Sequence, residues 1–179
     1  MNSTQEKQVE MHKEFFDKCK FAIDSEFYME ALLMEYAAIE SRLEIILGVI
    51  GMPCNKQLEV ELRKKINISH RVYCLEQLCQ ESPVFQASKL DKKFFENLKK
   101  WIGKRNEYIH GLYKDELKYK QRMADKKVYA EKGYEYCKML YSEAKRVRRI
   151  CKEHPELLDS TISCRTERCI VFNNKHNSK

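Results

Sequence analysis

Apolar residues recur along this chain at the three-to-four residue spacing of helices and show the alternation of strands in only one short run near the end. Met11, Phe15, Phe16, Cys19, Ala22 and Ile23 mark a first amphipathic helix over Val9–Ile23, behind a polar leader, Met1–Gln8, that reads as frayed chain. Asp24-Ser25 interrupts the pattern, with Ser25 placed to cap the next helix. Glu26–Ile50 is the most hydrophobic segment and predicts the central helix, ended by Gly51-Met52-Pro53. Gln57–Gln80 predicts a more polar third helix with Leu58, Leu62, Ile66, Val72, Leu75 and Leu78 inward. Its period breaks around Asn67–Arg71, so it reads either as one helix or as two shorter ones. Glu81–Ser88, with Pro83, is a loop; Leu90–Tyr113 and Asp115–Glu153 are two further helices. After Pro155 the chain turns short and polar, with Cys169–Phe172 alternating as a segment able to dock as an extended strand and the rest disordered.

The pattern therefore predicts an all-α protein, an up-and-down bundle of four to five helices with a long C-terminal helix. The bundle spans residues 9–153, between the leader at 1–8 and a tail at 154–179. Composition agrees. Five glycines and three prolines in 179 residues are too few for a sheet-and-turn protein, and 43% hydrophobic content is enough for one domain with its own core. No apolar run approaches the roughly 20 residues that span a bilayer.

Eight cysteines raise the alternatives of a disulfide framework or a zinc site. The start of the chain, Met1–Glu10, is polar and lacks the apolar core of a secretory leader. The spacings Cys74-x4-Cys79 and Cys164-x4-Cys169 are not zinc-ribbon pairs. The cysteines read as reduced thiols of a cytoplasmic protein. No phosphate-binding glycine loop, H-E-x-x-H or carboxylate cluster with metal spacing is present, so an enzyme here is expected to work with no metal and no nucleotide cofactor.

Charge is unevenly placed. Residues 114–152 hold 13 Lys and Arg against 6 Asp and Glu, a net +7, whereas residues 1–113 hold 17 of each. Tyr119, Tyr129, Tyr134, Tyr136 and Tyr141 are interleaved with these cations, a mixture suited to phosphates and stacked bases. The plainer alternative is a solvated helix whose tyrosines cover the core.

The stretch Lys104–Tyr113 carries the candidate chemistry. At about 100° per residue, Arg105 falls in the middle of the stripe made by Leu98, Trp101, Ile102, Ile109 and Leu112. Asn106 and His110, four apart, share its flank, with Tyr113 between them and Arg105. A cation at such a place needs a partner, a ligand or a polar cleft. Glu40, close to the packing face of the central helix, is one candidate partner. An imidazole that titrates near neutrality, a fixed cation and an orienting amide are together what metal-free phosphodiester cleavage requires. The competing reading is an internal ion pair for Arg105 and a histidine satisfied at a helix end. His70, in Ser69-His70-Arg71, reads as a capping or solvated histidine.

Arg105-Asn106-x-x-x-His110 resembles the R-N-x-x-x-H signature of the HEPN superfamily of small helical bundles, and Phe27–Leu47 looks like the long hydrophobic helix that precedes the signature helix there. The resemblance covers roughly 15–152 as architecture and Arg105, Asn106 and His110 as chemistry. It implies a metal-independent endoribonuclease of the kind found in toxin and phage-defence systems, with a possible antitoxin. It also implies a homodimer that sets two signatures face to face, here through Leu98, Trp101, Ile102, Arg105 and Ile109. Arg105, Asn106 and His110 are then the catalytic residues: His110 as general base or acid, Arg105 on the scissile phosphate and Asn106 orienting the imidazole or contacting the phosphate, with Glu40 and Tyr113 in support. Lys104, Lys114, Lys118, Lys120 and Arg122 are the nearest cations for RNA. In partners of minimal nucleotidyltransferases a tyrosine follows the histidine by two positions; here position 112 is Leu112 and the tyrosine is Tyr113. That regulation is not expected. A catalytically silent HEPN module that binds RNA or protein is the alternative function, and a structural helical protein with a chance motif is the third.

Overall fold

The computed structural model describes residues 3–51, 67–110 and 116–158, with side chains described within 11–50, 67–109 and 125–158. The chain is all-α, and among the described residues there is no strand. Among the described residues the helices are α1 (Ser3–Asp24), α2 (Tyr28–Gly51), α3 (Ile68–Glu81), α4 (Lys92–His110) and α5 (Glu116–Glu153), with a 3-10 turn at Pro83–Phe85. None of the described helices is long and apolar enough to cross a membrane.

Local chemistry explains the boundaries. Helix α1 begins at Ser3, ahead of the Val9 start that the apolar pattern gives, and it ends in a Schellman arrangement. There Phe27 N donates to Ala22 O at 2.8 Å and Glu26 N to Ile23 O at 3.1 Å. The left-handed residue of that turn is Glu26, at φ 64°, where glycine is usual. Helix α2 then starts behind Phe27, whose carbonyl accepts from Ala31 N at 3.0 Å, so the start lies two residues beyond the Ser25 cap expected from sequence. The interruption around Asn67 is an N-cap: Asn67 Oδ1 accepts from His70 N at 2.9 Å and opens α3. Asp91 does the same for α4, its Oδ1 accepting from Phe94 N at 2.7 Å. In the loop before it Ser82 Oγ accepts from Val84 N at 3.3 Å and begins the 3-10 turn.

The chain divides into two compact units, residues 1–39 with 98–138 and residues 40–97 with 139–179. The first buries Cys19, Ala22, Ala31, Leu32, Ile39, Leu98, Trp101 and Cys137. Glu35 is buried among them, at 0% exposure. The second buries Leu43, Ile46, Ile50, Val72, Leu75, Phe85, Phe95, Leu140 and Val147. There Glu143 accepts two bonds from Arg146, Nε to Oε2 at 3.0 Å and Nη2 to Oε1 at 2.6 Å, and the guanidinium lies 5.8 Å from the Phe85 ring. Arg146, in the cationic run Lys145–Arg149 of α5, is thus engaged in an internal pair. Cys19, Cys74, Cys79, Cys137 and Cys151 form no disulfide; Cys54, Cys164 and Cys169, like the alternating run Cys169–Phe172, lie outside the described residues.

Candidate functional site around Arg105

Within the first unit, Leu98, Trp101 and Ile102 of α4 are 0%, 1% and 4% exposed. The apolar stripe around Arg105 therefore packs inside its own chain. Those three side chains are not available to a second copy, and this corrects the dimer contact expected from sequence. Arg105 and Ile109 are half-buried at the edge of the same stripe.

Arg105 stacks on an aromatic ring. Its guanidinium carbon lies 4.0 Å from the centroid of Tyr36, on α2, within the range of a strong cation–π contact. Nη1 donates to Asn106 Oδ1 at 3.1 Å. Nε is buried and has no hydrogen-bond partner among the described residues. No described carboxylate pairs with this arginine. Glu40, the partner that the sequence suggested for it, is taken by Arg71 of α3, whose Nη1 lies 3.0 Å from Glu40 Oε1 in the second unit. The reason is register. The buried stripe of α2 is Leu32, Glu35, Ile39, Leu43, Ile46 and Ile50, all at 0% exposure, which leaves Glu40 on the shoulder with 40% of its side chain exposed.

Behind Tyr36 the packing is tight. The Glu35 carboxyl and the Trp101 ring both lie against the backbone of Gly133 on α5, where a Cβ would meet the carboxylate and come within 2.6 Å of Trp101 Cζ2. Cys137 Sγ donates to the Glu35 carbonyl at 3.5 Å, and Trp101 Nε1 donates to Tyr129 O at 2.8 Å. Neither carboxyl oxygen of Glu35 has a hydrogen-bond partner among the described residues, and burial pushes the group from its ordinary 4.5 up to about 9, so it is neutral at pH 7. Burial, followed by the proximity of Glu35, pushes the Cys19 thiol up to about 12.

Lys104 sits on the exposed face of α4 with Nζ 2.7 Å from Glu107 Oε2, and that hydrogen bond holds its ammonium above the usual range. The tyrosines of α5 whose side chains are described, Tyr129, Tyr134, Tyr136 and Tyr141, are engaged within the chain. Tyr129 meets Tyr108 edge-on at 5.6 Å, Tyr134 meets Phe16 at 5.7 Å and Tyr136 meets Trp101 at 6.2 Å. Lys132, Lys138 and Lys145 lie over Tyr129, Tyr134 and Tyr141, three or four residues earlier on the same helix. The interleaving of rings and cations along α5 is thus, over these residues, a helix-surface pairing.

His110 is the last residue of α4, and its side chain lies outside the described residues, as do the side chains of Lys118, Lys120 and Arg122. Tyr113 and Lys114 lie outside them entirely. The structure brings Arg105 and Asn106 together and adds Tyr36, which the motif did not name. Its sequence signal is only its place next to Glu35, beside the buried stripe of the most hydrophobic helix, which also carries Tyr28. No protein-family model, no curated protein and no solved structure matches the chain.

Proposed function

We propose that the chain is a metal-independent endoribonuclease of the HEPN type that cuts RNA by internal transesterification. The observation that carries the reading is the state of Arg105: a half-buried guanidinium that no described carboxylate neutralises, held between Tyr36 and Asn106. An arginine that served only packing would be expected to close an ion pair, as Arg71 and Arg146 do. One with no carboxylate partner among the described residues is suited to an anionic oxygen of a phosphodiester.

In the proposed reaction the ribose 2′-oxygen attacks the adjacent phosphorus, its proton passes to a base, and the bond to the 5′-oxygen breaks as that oxygen takes a proton. Arg105 holds the phosphate and offsets the charge that builds in the pentacoordinate transition state. His110 moves the protons, and Asn106 keeps the guanidinium in plane. The products are a 2′,3′-cyclic phosphate and a 5′-hydroxyl.

One imidazole is not readily base and acid in the same turnover, so the reading includes a homodimer in which two signatures share a cleft. With Leu98, Trp101 and Ile102 buried, the contact falls to the edge of α4 that carries Arg105 and Asn106. The proposed setting is a cytoplasmic toxin or phage-defence effector, with an antitoxin as its natural restraint. Incubation with mixed RNA in excess EDTA, beside Arg105→Ala and His110→Ala, tests the reading. Cleavage by the parent alone supports it. Equal cleavage by all three removes the site assignment, and salt-sensitive binding without cleavage moves the protein to the silent-module class.

A further inference from the structure

We infer that Tyr36 is the positioning residue of this site: its ring is the shelf that holds the Arg105 guanidinium in a phosphate-binding pose. The inference rests on the ribonuclease reading and adds to it a residue outside the signature.

The buried turn of α2 sets the geometry. Glu35 is fixed at 0% exposure, its carboxyl against Gly133 and its carbonyl oxygen accepting from Cys137 Sγ. That fixes the rotation of α2 about its own axis at this turn. The next residue, about 100° further round, is Tyr36. On α4, Trp101 packs at the same place as Glu35, and Arg105 stands one helical turn beyond Trp101. Two neighbouring residues of α2 thus meet two residues of α4 one turn apart, the first pair through packing and the second through the 4.0 Å stack.

The stack does what an ion pair would not. A carboxylate would hold Arg105 and also neutralise it, occupying the donors a phosphate needs. The face of a phenol ring restrains the plane of the guanidinium while leaving its in-plane N–H groups for other acceptors. Nη1 is bonded to Asn106, which sets the rotation within that plane. Nε is buried without a partner among the described residues. A buried donor with no acceptor in reach is a cost to the fold, so this edge of the guanidinium favours an acceptor close by. Rigid placement of this kind is worth one to two orders of magnitude in rate when it is lost, on the scale by which about 1 Å of misplacement costs roughly a hundredfold.

The test compares the full chain with Tyr36→Phe and Tyr36→Leu. One readout is the ring-current shift of the Arg105 Hε signal by NMR, assigned by its disappearance in Arg105→Lys. The other is kcat and KM on a short RNA. Tyr36→Phe is expected to keep the upfield shift and to retain kcat within about threefold. Tyr36→Leu, folded by circular dichroism, is expected to lose the shift and to drop kcat by roughly 10- to 100-fold with a much smaller change in KM. An Arg105 signal without ring-current shift in the parent, or Tyr36→Leu with parental kcat, overturns the inference. A parent that cleaves no RNA while the shift follows the ring removes the ribonuclease reading and leaves Tyr36 as the residue that holds Arg105. The two failures are therefore distinguishable.

Discussion

The guanidinium of Arg105 lies 4.0 Å from the centre of the Tyr36 ring. Planarity matters to this contact as much as charge, since a flat, weakly hydrated cation stacks where a compact ammonium does not. Arg105→Lys keeps the charge and is still expected to lower kcat by about 100-fold, because neither the stack nor the bond to Asn106 survives in the same geometry. Single-turnover cleavage of RNA measures it. A lysine variant within about threefold of the parent would show that charge alone suffices.

Glu35 sets a pH dependence of stability. Its carboxyl is pushed from 4.5 to about 9 by burial, so the folded state holds this proton more tightly than the unfolded chain does. A group raised in this way contributes fully below its unfolded value and loses that contribution as pH rises towards its folded value. Stability should therefore fall between about pH 4.5 and pH 9. Glu35→Gln, neutral throughout, is expected to flatten the slope and to exceed the parent by a few kcal/mol at about pH 8.5, since each tenfold difference in proton affinity between the two states is worth about 1.4 kcal/mol. Urea unfolding at about pH 5.5 and about pH 8.5 checks this; parallel curves for the two proteins would refute it.

Gly133 is required by space. In an ordinary helix Gly→Ala gains about 1 kcal/mol from propensity. Here the new methyl would meet the Glu35 carboxyl and stand 2.6 Å from Trp101 Cζ2, and overpacking of that kind costs roughly 1–3 kcal/mol. The second effect wins, with no room for relaxation between two fully buried side chains. Gly133→Ala is expected to lower the melting temperature, and Glu35→Ala in the same chain to recover part of the loss. A stabilised Gly133→Ala would mean that the packing is looser than described.

Much of this is legible in the sequence, and the rest is hidden for identifiable reasons. The described helices follow from the apolar spacing, the first half of Gln57–Gln80 lying outside the described residues, and Asn67 and Asp91 stand where their caps belong. Glu35 is readable too, because it sits three residues after Leu32 and four before Ile39 on the buried stripe. Glu40 is the misleading one, since Tyr36, Ala37 and Leu47 make its side of the helix look buried. Ala37 is exposed, and Glu40 faces Arg71. The stripe around Arg105 is apolar as its spacing predicts, but an apolar stripe does not say whether its cover comes from the same chain or another. The Arg105–Tyr36 stack joins residues 69 apart in the chain, a distance over which no local pattern reports.

The Glu40–Arg71 pair carries its own test. Glu40→Ala leaves Arg71, with only 10% of its side chain exposed, without that partner, and about 1 kcal/mol of stability should be lost. RNA cleavage measured on the folded variant is expected to be unchanged. A large fall in kcat at unchanged fold would return Glu40 to the site.

The most direct test of the central claim is the chemistry of the cut ends on an RNA with one preferred cleavage position, compared with the same RNA carrying a single 2′-deoxy residue there, both in excess EDTA. Mass spectrometry of the products is expected to give a 2′,3′-cyclic phosphate and a 5′-hydroxyl from the first substrate and no cut at that position in the second. A 3′-hydroxyl with a 5′-phosphate, or equal cutting of the deoxy substrate, would contradict internal transesterification and with it the roles given to Arg105 and His110.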